Sequence, residues 1–456
     1  NIVETGDGIK AATEELRQAL PPGVELRLVY ADILGITRSK DLLVSQLERT
    51  ATTGPTFCQG VWVTTSQGGV LDGNDILSAG LQDLVSRIDP TSVTLMPWEP
   101  GVAFAIADAF EPDGAASALA PRSVLRGVIE QYTALGLTAV IGPELEFYIA
   151  ERGETGQWQR ALTRTGRVYT TGAWVDPDGT FLHLLRMLDR MDIGVVAGNH
   201  EFSPSQYEIN LWHGEALRAA DRTFLFKTAI KDIVARTGKL ATFLGKPWSD
   251  EGGSGFHLHF SVVDASGTNL MSEPDGQLSA TANHLMAGIL AHAPALAAFT
   301  NPTVNAYKRL GPDTLAPYRA NWGHDNRSAM VRVPPERGAG TRLEVRIGDG
   351  AANPYLMIAA VLAAGLDGLI HRRQVPPSAD GWSYENEAAE VLPTTLTAAL
   401  DALDADTVLR GALGAPIVDV FSMLKRDEVA RYEHATDDPG TRDVTPWELQ
   451  EYLEDY

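Results

Sequence analysis

Apolar positions along this chain follow two rhythms, a short one that suits strands and a longer one that suits helices. Residues 9–20 repeat apolar positions as an amphipathic helix does, and the run stops at Pro21-Pro22-Gly23. Residues 24–30 alternate like a strand. Gly, Ser and Thr recur over 52–80, which predicts irregular segments and short strands, and 91–108 reads as two further strands around Pro97 and Pro100. A small strand-rich domain over residues 1–108 is the expectation. After the turn-like Glu111-Pro112-Asp113-Gly114 the rhythm changes. Helices are predicted over 121–135, 181–191, 215–237, 280–299 and 353–369, and strands over 139–149, 206–211, 240–244, 256–263 and 343–347. The tail, 392–456, reads as mostly helical. No repeat or long linker interrupts this second block, a large α+β domain over 109–456.

Composition narrows the function classes. The chain has 456 residues and a formal net charge of −22, from 59 acidic and 37 basic side chains. A nucleic-acid binder carries the opposite sign, so no nucleic-acid partner is expected. Carboxylates clustered around cations would account for part of the excess. The single cysteine, Cys58, allows no intrachain disulfide. With acidic first residues and no basic leader, a cytoplasmic location is expected. The most apolar stretch, 356–366, is too short to span a bilayer, so no membrane partner is expected.

Four constellations carry chemistry. In Pro143-Glu144-Leu145-Glu146-Phe147, period-two geometry puts both glutamates on one strand face, roughly 6–7 Å apart, where they repel unless a cation or proton compensates. A solvent-facing edge would give the same pattern. Glu201 and Glu208 flank a Ser203-Pro204-Ser205 break; one regular strand would turn them to opposite faces, whereas a bend would re-aim them. Behind a glycine-rich approach, His257, His259 and Ser261 share one strand face, a set suited to a metal or a nucleotide. Arg342, Glu344 and Arg346 also share a face, as an ion-pair ladder or as a metal ligand between anion-binding arginines. Arg309, Arg327 and Arg332 add cations in the same third of the chain. There is no P-loop, no Gly-x-Ser-x-Gly elbow, and only Cys58 for a Cys–His nucleophile.

Read together, the strings PELEF, NHEF…QYEI, GKLATFLGKP, GGSGFHLHFS, NPTVNAYKRL, DNRSA…VRVP and RLEVR…AANPYL resemble type I glutamine synthetases, in that family's order and near its spacing. The resemblance runs from the first domain to Thr445-Pro446-Trp447-Glu448. It implies an N-terminal β-grasp domain followed by a catalytic domain on a curved antiparallel sheet. It further implies two or more Mg²⁺ or Mn²⁺ ions between sites for ATP and L-glutamate. By motif position Glu146, Glu201 and Glu208 would hold the metal nearer glutamate, and Glu144, His257 and Glu344 the metal beside the ATP phosphates. Gly253, Arg309 and Arg346 match glutamate-binding positions. His259, Ser261, Arg327, Arg332 and Arg342 match ATP-binding positions, and Arg309, Arg327 and Arg346 match arginines of the catalytic machinery. The implied chemistry activates glutamate as γ-glutamyl phosphate and transfers it to an amine. Family members form homo-oligomers of stacked rings, commonly two hexamers, with active sites shared between subunits.

The amine side departs from the family. Ammonia-using members carry a glutamate five residues beyond the leucine of the KRL motif; here that position is Leu315. They also carry an acidic loop in the N-terminal domain, whereas no acid occurs over 51–71 and Trp62 stands in that segment. Asn199 and Gly252 replace residues that are histidine and asparagine in many relatives. Loss of both acids removes a cage for NH₄⁺, and a buried methylene of about 0.8 kcal/mol could compensate. Leu315 and Trp62 are therefore the candidates for an amine pocket. The expected substrate is an organic amine, with a polyamine such as putrescine or spermidine favoured over ethanolamine or a monoamine. An ammonia-using glutamine synthetase and a non-catalytic structural or regulatory relative are the alternatives.

Overall fold

Two sheets organise the chain. The computed structural model describes residues 14, 18, 20, 23–46, 54–312 and 314–456; most of the helix expected over 9–20 lies outside them. The first sheet contains β1 (Glu25–Ala31), β2 (Thr37–Leu42), β3 (Thr56–Cys58), β4 (Asp83–Ile88), β5 (Thr94–Leu95) and β6 (Val102–Phe110). Its order is β2-β1-β6-β4-β3, with β5 on β6, and only the β1–β6 pair is parallel. β6, in the middle, is an almost unbroken apolar run, as a strand covered on both faces must be. β2 is an edge strand of sequence TRSKDL, whose polarity hides it from an apolar pattern.

The second sheet contains β7 (Thr138–Arg152), β8 (Trp158–Arg160), β9 (Val195–His200), β10 (Gln206–Leu211), β11 (Gly214–Glu215), β12 (Leu240–Thr242), β13 (Phe256–Val263), β14 (Trp322–His324), β15 (Val331–Val333) and β16 (Leu343–Val345). The order is β14-β15-β16-β13-β7-β10-β9, and β8, β11 and β12 also pair with β7. β7, 15 residues long, is the spine. The sheet is antiparallel except at its end, where β14 and β15 run parallel.

Helix Pro354–Ile370 is buried over nearly its whole length, the fate of the most apolar stretch in the sequence. Among the described residues no single helix is long and apolar enough to cross a membrane. A Cβ on Gly288 would lie 2.1 Å from the Ala364 carbonyl, so this helix meets helix Ala280–Ala291 backbone to backbone. The helix expected over 280–299 divides at His292 into Ala280–Ala291 and Ala293–Thr300. Pro294, in the first turn of the second piece, has no N–H to continue the first.

The first sheet is tied to the helices beyond it by largely buried polar contacts. Arg122 donates to Asp221 at 2.8 and 2.9 Å, to Asp108 on β6 at 2.7 Å and to Asp89 at 2.6 Å. Asn353 caps helix Pro354–Ile370 and donates to the Asp32 carbonyl at 2.9 Å, just past β1.

Candidate active site

Strand register brings the predicted ligands together. Across β7 and β10, Glu146 stands opposite Glu208 and Glu144 opposite Asn210. On the other side of β7, His257 of β13 stands opposite Glu144. One strand further, His259 pairs with Glu344 and Glu344 with Arg332. Alternate residues of five adjacent strands thus share one face. The odd spacing of Glu201 and Glu208 is resolved by a hairpin: β9 and β10 run antiparallel, and Ser205 turns the chain with φ 66°. Glu201 sits two residues beyond Asn199, the partner of Glu208, so both acids meet the shared face.

The face concentrates negative charge. His257 Nδ1 lies 3.0 Å from Glu144 Oε1, and His259 Nε2 lies 3.6 Å from Glu144 Oε2. Burial would raise the Glu144 carboxyl, but the two imidazoles outweigh it and hold it well below the usual range. Glu344, 1% exposed, receives Arg332 and Arg346 at 2.5 Å each. Against burial, Arg346, both histidines and Arg332 bring it down to about 2. Glu208 behaves oppositely: burial, then Glu144, Glu146 and Glu201, push it up to about 10. Burial also raises Glu146 and Glu201. Two three-ligand groups arise, Glu144–His259–Glu344 and Glu144–Glu208–His257.

This grouping differs from the expected one, which set His257 beside Glu344 and Glu208 with Glu146 and Glu201. Hydrogen bonds hold the remaining acids: Glu146 accepts from the Gly255 amide at 2.8 Å and Gln206 at 3.2 Å, and Glu201 from Asn199 at 2.8 Å. The donor set of carboxylate oxygens and imidazole nitrogens fits Mg²⁺ or Mn²⁺. Uncompensated repulsion around Glu208 is the feature a divalent cation would relieve.

Arginines line the rim. Arg309, 4% exposed, donates to the carbonyls of Ile347 at 3.1 Å and Arg346 at 3.3 Å. A Cβ on Gly253 would lie 2.5 Å from Arg309 Cγ, so only glycine leaves room for this side chain. Arg342 donates to His259 Nδ1 at 3.0 Å, and Arg346 to the Arg327 carbonyl at 3.0 Å. Arg327 itself is exposed, and Ser261 is half-buried two residues beyond His259 on the same strand face. Leu315, 41% exposed with φ 57°, lines a cavity of about 670 Å³ with Arg327, Arg332, Asp325, Asp380 and Trp382.

Trp62 does not line that cavity. It is 1% exposed and packs edge-on against Tyr30 and Phe57, with ring centroids 6.2 and 5.9 Å away. A large apolar ring in a strand-rich domain is drawn into its core. Sequence reasoning also passed over Gln206, which joins Glu146 to the Gly253 carbonyl (2.9 Å), and Asn210, which bridges Glu144 at 2.8 Å and Glu208 at 3.3 Å. Both alternate with Glu208 in Gln206–Leu211, so period two carried the signal.

A family model described as "Glutamine synthetase, catalytic domain" matches residues 118–452. The chain belongs to the glutamine synthetase family. Relatives named glutamine synthetase include one from Halobacterium salinarum, 33% identical over 474 residues and covering 99% of each chain. One from Thermus thermophilus is 35% identical over 448 residues, covering 94% of this chain and 96% of the relative. Among solved structures, "GmaS/ADP complex-Conformation 1" superposes with a TM-score of 0.82 at 32% identity, covering 96% and 98% of the two chains. "Crystal structure of novel glutamine synthase homolog" gives 0.81 at 28% identity, covering 92% and 97%. This member of the glutamine synthetase family is an ATP-dependent ligase with the family's mixed α/β architecture.

Proposed function

We propose that the chain activates L-glutamate with ATP and transfers the γ-glutamyl group to an organic amine, a polyamine being favoured. Leu315 carries the reading: where ammonia-using members have a carboxylate, an exposed apolar side chain borders the cavity beside Arg327 and Arg332. A carbon tail gains from that surface, whereas NH₄⁺ gains nothing from it. The net charge of −22 would draw in polycations.

The γ-carboxylate oxygen attacks the γ-phosphorus of ATP, the β–γ bridge breaks and ADP leaves. The amine's lone pair then attacks the acyl carbon; phosphate departs with the C–O bond pair, and the nitrogen's proton ends on that phosphate. Arg309 and Arg346 orient the glutamate carboxylates, while Arg327, Arg332, Arg342, His259 and Ser261 serve the nucleotide and phosphate side. Glu144, Glu146, Glu201, Glu208, His257 and Glu344 would hold Mg²⁺ or Mn²⁺. Bound there, such ions supply charge neutralisation at the phosphoryl oxygens. A β-grasp unit over 1–108, a catalytic unit over 109–456, stacked rings with shared sites and a cytoplasmic location complete the proposal.

Phosphate release from ATP and glutamate, measured separately with ammonium, methylamine, ethanolamine, putrescine and spermidine, tests it. An organic amine is expected to give the highest kcat/KM; robust turnover with ammonium alone would overturn the reading. Ammonia use is the second reading, favoured by curated relatives named glutamine synthetase at 33% and 35% identity.

A further inference from the structure

Strand β10 carries a neutral amide on each side of Glu208, and period two puts Gln206, Glu208 and Asn210 on one face. In the register with β7, Glu208 stands opposite Glu146 and Asn210 opposite Glu144. A carboxamide nitrogen has two hydrogens to donate. Asn210 directs Nδ2 at two acids, Glu144 Oε2 at 2.8 Å and Glu208 Oε1 at 3.3 Å. Gln206, 3% exposed, directs Nε2 at Glu146 Oε2 at 3.2 Å and at the Gly253 carbonyl at 2.9 Å.

The bland role for such bonds is to hold strands together. Here that task is already met, because backbone pairing from Gln206–Tyr148 through Asn210–Glu144 sets the register. What the amides add is orientation of carboxylates. Glu144 is gripped from both flanks, by Asn210 of β10 on Oε2 and by His257 of β13 on Oε1 at 3.0 Å. Glu146 is gripped on Oε2, by Gln206 and by the Gly255 amide at 2.8 Å. Nor do the amides neutralise these acids. A lysine or arginine at either position would cancel charge and compete with a cation, whereas an amide aims a carboxylate and leaves its charge in place.

We infer that Asn210 and Gln206 are positioning residues for the divalent-cation centre, with separate tasks. Asn210 aims Glu144 and Glu208 together, the two acids of the group completed by His257. Gln206 ties Glu146 to the Gly253 end of the glutamate site, so it couples cation and glutamate binding. The inference rests on the cation and glutamate placement proposed above and adds two residues to it.

The test uses the full-length protein and its Asn210→Leu and Gln206→Leu variants, with Mn²⁺ binding followed by electron paramagnetic resonance without nucleotide. Losing a hydrogen bond that orients a metal ligand costs about tenfold or more in affinity, so the Mn²⁺ Kd should rise about tenfold in each variant. Glutamate binding is then measured by calorimetry at saturating Mn²⁺ with a non-hydrolysable ATP analogue, a readout that needs no amine. Gln206→Leu should raise the glutamate Kd about fivefold, the worth of one hydrogen bond, and Asn210→Leu by less than about twofold. An unchanged Mn²⁺ Kd in either variant overturns that residue's role while leaving the cation placement intact. Equal glutamate affinities in the two variants overturn the separate tasks. A wild-type protein that binds no Mn²⁺ overturns the cation placement and the inference with it; one that binds no glutamate does the same to the task of Gln206. Denaturant midpoints are taken alongside: a variant that loses stability yet keeps wild-type Mn²⁺ affinity makes its amide structural. Where a leucine variant does not fold, Asn210→Ala or Gln206→Ala replaces it, and failure of both to fold likewise assigns a structural role and overturns the inference.

Discussion

Replacing Glu448 by alanine removes one half of a buried ion pair that lies beside Arg309, the residue proposed to orient glutamate. Lys308 Nζ stands 2.5 Å from Glu448 Oε2, with side chains 6% and 0% exposed. Glu448 also accepts from Asn305 Nδ2 at 2.8 Å, the Thr445 amide at 2.8 Å and Thr445 Oγ1 at 2.9 Å, closing the capping box of helix Pro446–Tyr452. In Glu448→Ala the ammonium keeps, among the described residues, the Asp443 carbonyl at 2.6 Å and Tyr432, through its hydroxyl at 3.4 Å and its ring. Stranding such a charge costs about 3–5 kcal/mol, more than the cap alone at about 1 kcal/mol. Arg309 is the next residue, and Arg442 fixes the same segment through the carbonyls of Tyr307, Lys308 and Leu310 at 3.0–3.2 Å. The glutamate KM should therefore rise more than the ATP KM. Denaturant unfolding and paired KM measurements read both effects. Lys308→Met/Glu448→Leu should recover most of the lost stability, because burying an ion pair costs desolvation that apolar side chains avoid. A wild-type midpoint for Glu448→Ala, or a double variant less stable than the single one, would refute the reasoning.

Glu344→Gln keeps shape but removes the anion shared by Arg332 and Arg346. ATP- and glutamate-dependent phosphate release should fall by about 10²–10³-fold; near-normal turnover would contradict the assignment. His292 lies between Asp406 (2.6 Å) and Asp367 (3.0 Å), the latter also meeting Arg373 and His371. Burial lowers the imidazole, but the two aspartates outweigh it and hold it above its ordinary 6.5. A raised folded value means this stabilisation is full below pH 6.5 and is lost as pH rises through the folded pKa. His292→Asn should flatten that part of the stability–pH profile, and an unaltered slope would remove His292 as its source. Leu315→Glu should raise ammonium kcat/KM relative to organic amines, measured by phosphate release; no change in the ratio would divorce this position from amine choice.

Much of the site was legible because it is built on strands. Phe256–Val263 and Gln206–Leu211 have the expected limits, and their period-two patterns place His257, His259 and Glu208 on one face. Less was legible where tertiary structure decides. β14 and β15 have three residues each, too few for a pattern, although β15 brings Arg332 to Glu344. The Glu201–Glu208 hairpin required knowing which way the Ser203–Ser205 break turns. Trp62 stands in a segment whose irregular pattern of Gly, Ser and Thr does not mark a core position, yet its ring is buried. The clamp from Arg442 and Glu448 onto residues 305–310 joins segments more than 130 positions apart, and no local rhythm encodes it.

Ligation of glutamate to an organic amine in preference to ammonia is decided by competition between the two. The most direct measurement gives the protein ATP, glutamate, a divalent cation and equal concentrations of ammonium and spermidine, then quantifies both products by mass spectrometry. γ-Glutamylspermidine in excess over glutamine is the predicted result; glutamine as the dominant product would contradict the account.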